Sequence, residues 1–205
     1  MGIALTSDDR VLFFGDSITE AGRNRDNDAI LGNGYVTLIA EALNGLLPGI
    51  DCLNRGVSGD GVLDLARRFQ SDCLAPKPTV VSLMIGVNDI WMGLELGVGA
   101  TAARYEAELN TMLARLTEHG IRLVLMEPYL VATDQYLLTW RADLDARIHV
   151  IRRLAEKYAT VLVPTDAAMN SQPDTTEDGV HPTELGHRLL AAAWLEAVAP
   201  GSNAR

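Results

Sequence analysis

Five residues of reactive type stand just beyond hydrophobic or glycine-rich stretches of this chain. Ser17 closes Val11-Leu-Phe-Phe-Gly-Asp-Ser17, Gly59 closes Gly56-Val-Ser-Gly59, Asn88 follows Gly86-Val, and Asp178-Gly-Val-His181 precedes the last helical pattern. Together they could perform acyl transfer. A serine hydroxyl is a poor nucleophile at neutral pH, so it needs a neutral imidazole within hydrogen-bond reach, and His181 is the candidate. The ring needs the right tautomer and a counter-charge when it takes the proton, which Asp178 could supply while staying ionised. The tetrahedral intermediate carries negative charge on its former carbonyl oxygen. Candidate donors to it are the backbone amides of Ser17 and Gly59 and the side-chain amide of Asn88. Taken alone, Ser17 is equally suited to cap the next helix.

These residues need elements that bring them together. Val11–Phe14 reads as a strand buried on both faces, ended sharply at Gly15. Further strands are expected at 50–55, 79–85, 121–126 and 161–163. Between them, apolar residues recur at helical spacing over 35–47, from Val62 to Cys73, over 101–118 and from Trp140 to Tyr158. A last helix from Thr183 to Val198 should turn Leu185, Leu189, Ala192 and Ala193 inward. Strand and helix in alternation imply parallel pairing through right-handed crossovers, hence a three-layer α/β/α sandwich with a central sheet of about five strands, in one domain over 1–205. All strand C-terminal ends then point to one side, where open α/β sheets bind ligands.

Composition narrows the function. Over 205 residues, 48% are hydrophobic and 21% charged, ordinary globular usage, and the formal charge is -10. A sequence-independent grip on nucleic acid needs basic patches, and an anionic membrane would repel such a chain. No apolar run reaches the length of a membrane span. Cys52 and Cys73 read as free buried thiols rather than a disulfide. The start has no export signal, and Met1-Gly2 with Thr6 is too slight an echo of a lipidation signal to count, so a cytoplasmic protein is expected.

Other residues have two readings each. Asp16, Asp60 and Asp89 could gather at a metal but are better suited to capping loops and helices. Trp91, Met92, Leu94 and Leu96 could wall a substrate pocket or pack the loop, and Tyr129 to Trp140 could form a lid. Arg23, Asn24 and Arg25 could touch substrate or stand in solvent. Asp16, Trp91, Met92 and Tyr129 are the candidates for substrate binding. His119, His149 and His187 fall in helices and read as structural.

The four segments Gly15-Asp-Ser17, Gly59, Gly86-x-Asn88-Asp89 and Asp178-x-x-His181 resemble, in order and over nearly the whole chain, the four blocks of the SGNH (GDSL-type) hydrolase superfamily. Ile18 stands where leucine is common. The resemblance implies a flavodoxin-like hydrolase fold and an esterase working through an acyl-enzyme, with no metal or other cofactor. Asn54-Arg-Gly-Val-Ser-Gly-Asp60 and Gly86-Val-Asn-Asp-Ile-Trp91 are similar to the bacterial carbohydrate-esterase-like branch. A serine esterase on short acyl or carbohydrate O-acetyl esters is therefore expected. The alternatives are a thioesterase or lysophospholipase on longer chains, or a non-catalytic ligand-binding module. The last is weakened because no Gly-x-Gly-x-x-Gly follows the first strand.

Overall fold

In the computed structural model, which describes residues 3–198, five parallel strands form one sheet in the order β2-β1-β3-β4-β5. They are β1 (Arg10–Gly15), β2 (Asp51–Gly56), β3 (Val80–Met84), β4 (Arg122–Met126) and β5 (Val161–Val163). Met1-Gly2 lies outside the described residues. The unbroken apolar run of β1 has a simple cause. Val11 and Phe13 face one core, Leu12 and Phe14 the other, and all four are fully buried. A strand with helices on both sides needs apolar residues at both parities.

The first core lies under α2 (Tyr35–Leu46) and α9 (Glu184–Ala197), the second under α3 (Val62–Arg68) and α5 (Ala102–Glu118). At the β5 edge α7 (Arg141–Lys157) gives Leu144 and Ile148 to the first core and Ile151 and Leu154 to the second. Because β1 connects leftward to β2 and the chain then returns to β3 on its other side, the topological switch falls between β1 and β3. A crevice opens at that point in doubly wound sheets. Among the described residues, no helix is long and apolar enough to cross a membrane.

Two expectations are corrected. The inward stripe of α9 is centred on Gly186, Leu190, Ala191 and Trp194; of the expected Leu185, Leu189, Ala192 and Ala193, only Leu189 and Ala193 pack, partly buried, against the first core beside it. Leu189-Leu-Ala-Ala-Ala-Trp-Leu195 is apolar all round, so its periodicity does not choose a face. Tertiary contact chooses: Trp194 is fully buried and its indole N–H donates to Ser82 Oγ on β3 at 2.9 Å. The helix expected from Val62 to Cys73 widens after Arg68 into a π-helical turn, Phe69–Leu74, which still buries Phe69 and Cys73. The connection expected before Trp140 holds a short helix of its own, α6 (Gln135–Leu138), whereas the helix expected from Trp140 to Tyr158 is found as α7, with those two residues as its caps.

Candidate active site

Ser17 is delivered by an abrupt strand-to-helix turn. After Gly15 the chain enters the short α1 (Ser17–Glu20), and a Cβ at Gly15 would fall 2.5 Å from the Met84 carbonyl on neighbouring β3. The helix cap is Asp16, which corrects the reading of Ser17 as cap: the Asp16 carboxylate accepts the Ile18 amide at 3.0 Å. Ser17 is thus the first helical residue, with a backbone N–H that has no partner inside its own helix. Its side chain meets the last loop of the chain. Ser17 Oγ lies 3.2 Å from His181 Nε2, and His181 Nδ1 lies 2.7 Å from Asp178 Oδ2.

The Asp178–His181 turn organises itself. Asp178 Oδ1 accepts the amides of Val180 at 2.9 Å and His181 at 2.8 Å, leaving Oδ2 for the imidazole. Partial burial alone would raise the Asp178 carboxyl. The hydrogen bonds from the His181 ring and from the two amides outweigh it and hold the group below the usual carboxylate range. A carboxylate accepting from Nδ1–H leaves Nε2 as the acceptor facing Ser17.

The other two segments supply donors. Gly59 has φ +85, a left-handed conformation natural to glycine, at the tip of the loop between β2 and α3. Asn88, in α4 (Val87–Trp91) beyond β3, gives one of its two amide protons to the Asp60 carbonyl at 2.9 Å and keeps one to give. Asp89 locks these pieces together, since both its oxygens accept the first amide of α3, at Val62, at 3.1 and 3.2 Å.

Ser17, Ser58, Gly59, Asn88, Asp178 and His181 line one cleft of about 490 Å³, whose remaining lining is Val87, Trp91, Tyr136, Leu137, Trp140 and Val180. It is an apolar trough with a polar head. Tyr136 donates its hydroxyl to Glu95, tying α6 to the turn after α4. The expected substrate-binding set is only partly placed here. Trp91 lines the cleft, but Asp16 is buried at 1% exposure beneath it, occupied with the Ile18 amide. Met92 is half-buried and turns toward Gly61. Tyr129 is fully buried and holds the cleft wall from behind, donating to the Val180 carbonyl at 2.7 Å. Val87, Tyr136, Leu137 and Trp140 take their places. Tyr136, Leu137 and Trp140 fall in the stretch from Tyr129 to Trp140 that the sequence offered as a lid, and Val87 lies inside the Gly86-x-Asn88 block.

The remaining candidates have structural occupations. Asp60 pairs with Arg68 at 2.6 Å. Arg23 donates to the Gly56 carbonyl at 2.7 Å, and Arg25 binds Glu20, whose other oxygen accepts the Ser58 amide at 2.8 Å, so both arginines brace the Gly59 loop from behind. The Asn24 side chain accepts the Asp26 amide within its own loop. His119 and His149 are exposed on helices, each against a backbone carbonyl of the preceding turn.

Burial has an electrostatic consequence at Asp16. Desolvation pushes its carboxyl from 3.8 to about 7, against the lowering effects of the Ile18 amide and His181. Between those values the folded protein keeps a proton that the unfolded chain has released, so stability should fall as pH rises from about 4 to about 7. Asp89, raised to about 6 by desolvation, acts in the same direction. Asp16→Asn keeps an oxygen for the Ile18 amide and removes the charge. Its melting temperature is expected to decline less than that of the parent between pH 5 and 8 in a calorimetric series; equal slopes would assign the decline elsewhere.

Comparison with known proteins agrees with this geometry. Residues 13–189 match the family model described as GDSL-like Lipase/Acylhydrolase family. The chain is 33% identical over 208 residues to an acetylxylan esterase of Geobacillus stearothermophilus, across 94% of each protein. A crystal structure of a catalytic mutant of an acetylxylan esterase from that organism superposes with a TM-score of 0.88 at 32% identity, covering 96% of this chain and 97% of that one. An alpha/beta hydrolase from the metagenome of Lake Arreo, Spain, superposes equally well, at 0.88 and 30% identity over 97% of this chain and 99% of that one. Three catalytic mutants of the Geobacillus enzyme each carry alanine in place of a serine, an aspartate or a histidine, the last two being three residues apart. The chain therefore belongs to the GDSL-like lipase/acylhydrolase family, as its four sequence blocks indicated, and is a carboxylic ester hydrolase.

Proposed function

We propose that Ser17 is the nucleophile, His181 its general base and then acid, and Asp178 the group that orients and neutralises the imidazolium. The observation that carries this is the unbroken chain Ser17–His181–Asp178, at 3.2 and 2.7 Å, at the head of the cleft. In acylation Ser17 Oγ bonds to the ester carbon as His181 takes its proton. The tetrahedral intermediate collapses with that proton passed to the leaving alcohol. Water repeats the sequence to release the acid. The amides of Ser17 and Gly59 and the free proton of Asn88 receive the oxyanion. Asn88→Ala is expected to lower kcat about 10²- to 10³-fold with the fold kept, read on an activated ester; a loss below about threefold would remove Asn88 from that role.

The substrate reading is a short-chain acyl ester of a carbohydrate, an O-acetyl group above all, supported by the likeness to acetylxylan esterase over nearly the full length of both chains. A second reading, longer acyl chains, is favoured by one observation: the apolar trough is roomier than acetyl requires. A chain-length series of p-nitrophenyl esters separates them. A sharp optimum at acetate supports the first, and an optimum at longer chains transfers the protein to the second. With this function go a small-molecule ester as partner, no role for nucleic acid at a formal charge of -10, and a cytoplasmic setting, to which two free, buried cysteines are suited.

A further inference from the structure

We infer that a second, polar cleft beside Ser17 receives the alcohol part of the ester, and that Glu177 there selects cationic and neutral alcohols over anionic ones. The inference rests on the ester-hydrolase reading of Ser17 and His181. That cleft, about 610 Å³, is lined by Ser17, His181, Pro182, Asn33, Glu177, Glu184, His187 and the Ala21-Gly22 turn. Only Ser17 and His181 are shared with the apolar trough. The reacting pair is therefore shared by two clefts, one mainly apolar and the other more polar.

Stereochemistry assigns the two sides. The tetrahedral carbon on Ser17 Oγ carries an oxyanion, an acyl group and the leaving oxygen. Gly59 and Asn88 line the trough alone, so the oxyanion points there, and the apolar walls beyond suit the acyl group. The leaving oxygen must lie against His181 Nε2, which delivers to it the proton taken from Ser17 as the carbon–oxygen bond breaks. The alcohol then extends past His181 into the side containing Asn33 and His187. These are groups for hydroxyls. His187 Nδ1 accepts the Tyr35 amide at 3.2 Å, which puts its proton on Nε2, and burial holds the ring below its ordinary pKa, hence neutral.

Charge gives the selectivity. Among the described residues, no lysine or arginine lines this cleft. Glu184 is paired with Arg188. Glu177 is exposed and, among the described residues, has neither an ion-pair nor a side-chain hydrogen-bond partner, so its charge is uncompensated toward the cleft. A unit charge a few ångströms from a bound ion in a hydrated cleft changes affinity by roughly threefold to tenfold, and salt reduces the effect.

The test uses three acetate esters whose charges do not titrate: acetylcholine, its uncharged isostere dimethylbutyl acetate, and acetoxypropanesulfonate. For the parent protein at low salt, kcat/KM is expected to fall in that order, with a cation-to-anion ratio of about tenfold that shrinks at high salt. Glu177→Gln should lower that ratio about threefold and Glu177→Lys about tenfold. Glu118→Lys, which makes the same change of net charge on an exposed site far along α5, should leave it as in the parent. A ratio unmoved by Glu177→Lys, an equal shift in Glu118→Lys, or a change in the propionate-to-acetate ratio in place of the leaving-group ratio would each overturn the inference. Failure of the parent reading looks different: none of the three acetates would be hydrolysed.

Discussion

Ser17→Ala is expected to lower kcat on an activated acetate ester by about 10⁵- to 10⁶-fold, with the melting temperature within a degree or two of the parent. Both halves follow from the site. Among the described residues, Ser17 Oγ has His181 Nε2 as its only side-chain partner, and His181 is itself about half exposed, so removing the hydroxyl strands no buried polar group. What survives is the oxyanion pocket, which alone retains a modest advantage over water. A fluorophosphonate probe should label the parent once per chain and the variant not at all. Labelling of Ser17→Ala at the parental rate, or retention of more than about a tenth of kcat, would move the nucleophile elsewhere.

The second large effect belongs to Asp178→Asn, expected to cost about 10⁴ in kcat with little loss of stability. An asparagine oxygen can still accept the Val180 and His181 amides, so the turn should hold its shape. Its amide nitrogen, however, presents a donor to Nδ1. The ring must then carry its proton on Nε2, where it cannot accept from Ser17. Asp178→Ala should differ by losing the turn as well, visible as a lower melting temperature. The mechanism requires a neutral imidazole, so activity should fall toward acid pH. Asp178, held below the ordinary carboxylate range, should keep its charge over that fall. An Asp178→Asn variant within tenfold of the parent would mean that the carboxylate does not govern the tautomer.

Much of this architecture could be read before any coordinates, for identifiable reasons. A strand buried on both faces leaves a run such as Val11-Leu-Phe-Phe14 that no surface element imitates, and β5 is found at Val161–Val163, where the sequence placed it. That Ser17, Gly59, Asn88, Asp178 and His181 would meet in one cleft was legible because a nucleophile, a base and an oxyanion donor each demand particular side chains, and parallel strands carry their ends to one edge. The cleft walls were legible only in part: Trp91 and the stretch from Tyr129 to Trp140 were in view, but not which of their side chains face the cleft. Tyr129 and Tyr136 are the same residue type seven positions apart, yet one is sealed in the core and the other is half exposed over the cleft. That difference is made by the partners, the Val180 carbonyl and Glu95, which lie elsewhere in the chain. The face of α9 was lost for a related reason, since a helix apolar all round is oriented by what it packs on. Glu177 gave no periodic or motif signal. Its place is set by the turn that presents Asp178, one residue later.

The bond between Ser17 and His181 joins residues 164 positions apart, and β2 to β5 lie between them. During synthesis Ser17 and all five strands therefore emerge before Asp178 and His181 exist. A nascent or clipped chain ending after β5 holds a serine in its turn with nothing to ionise it. On the proposed mechanism, hydrolytic competence is in this sense acquired late, conferred in one stroke by a four-residue turn that carries both the base and the carboxylate that orients it.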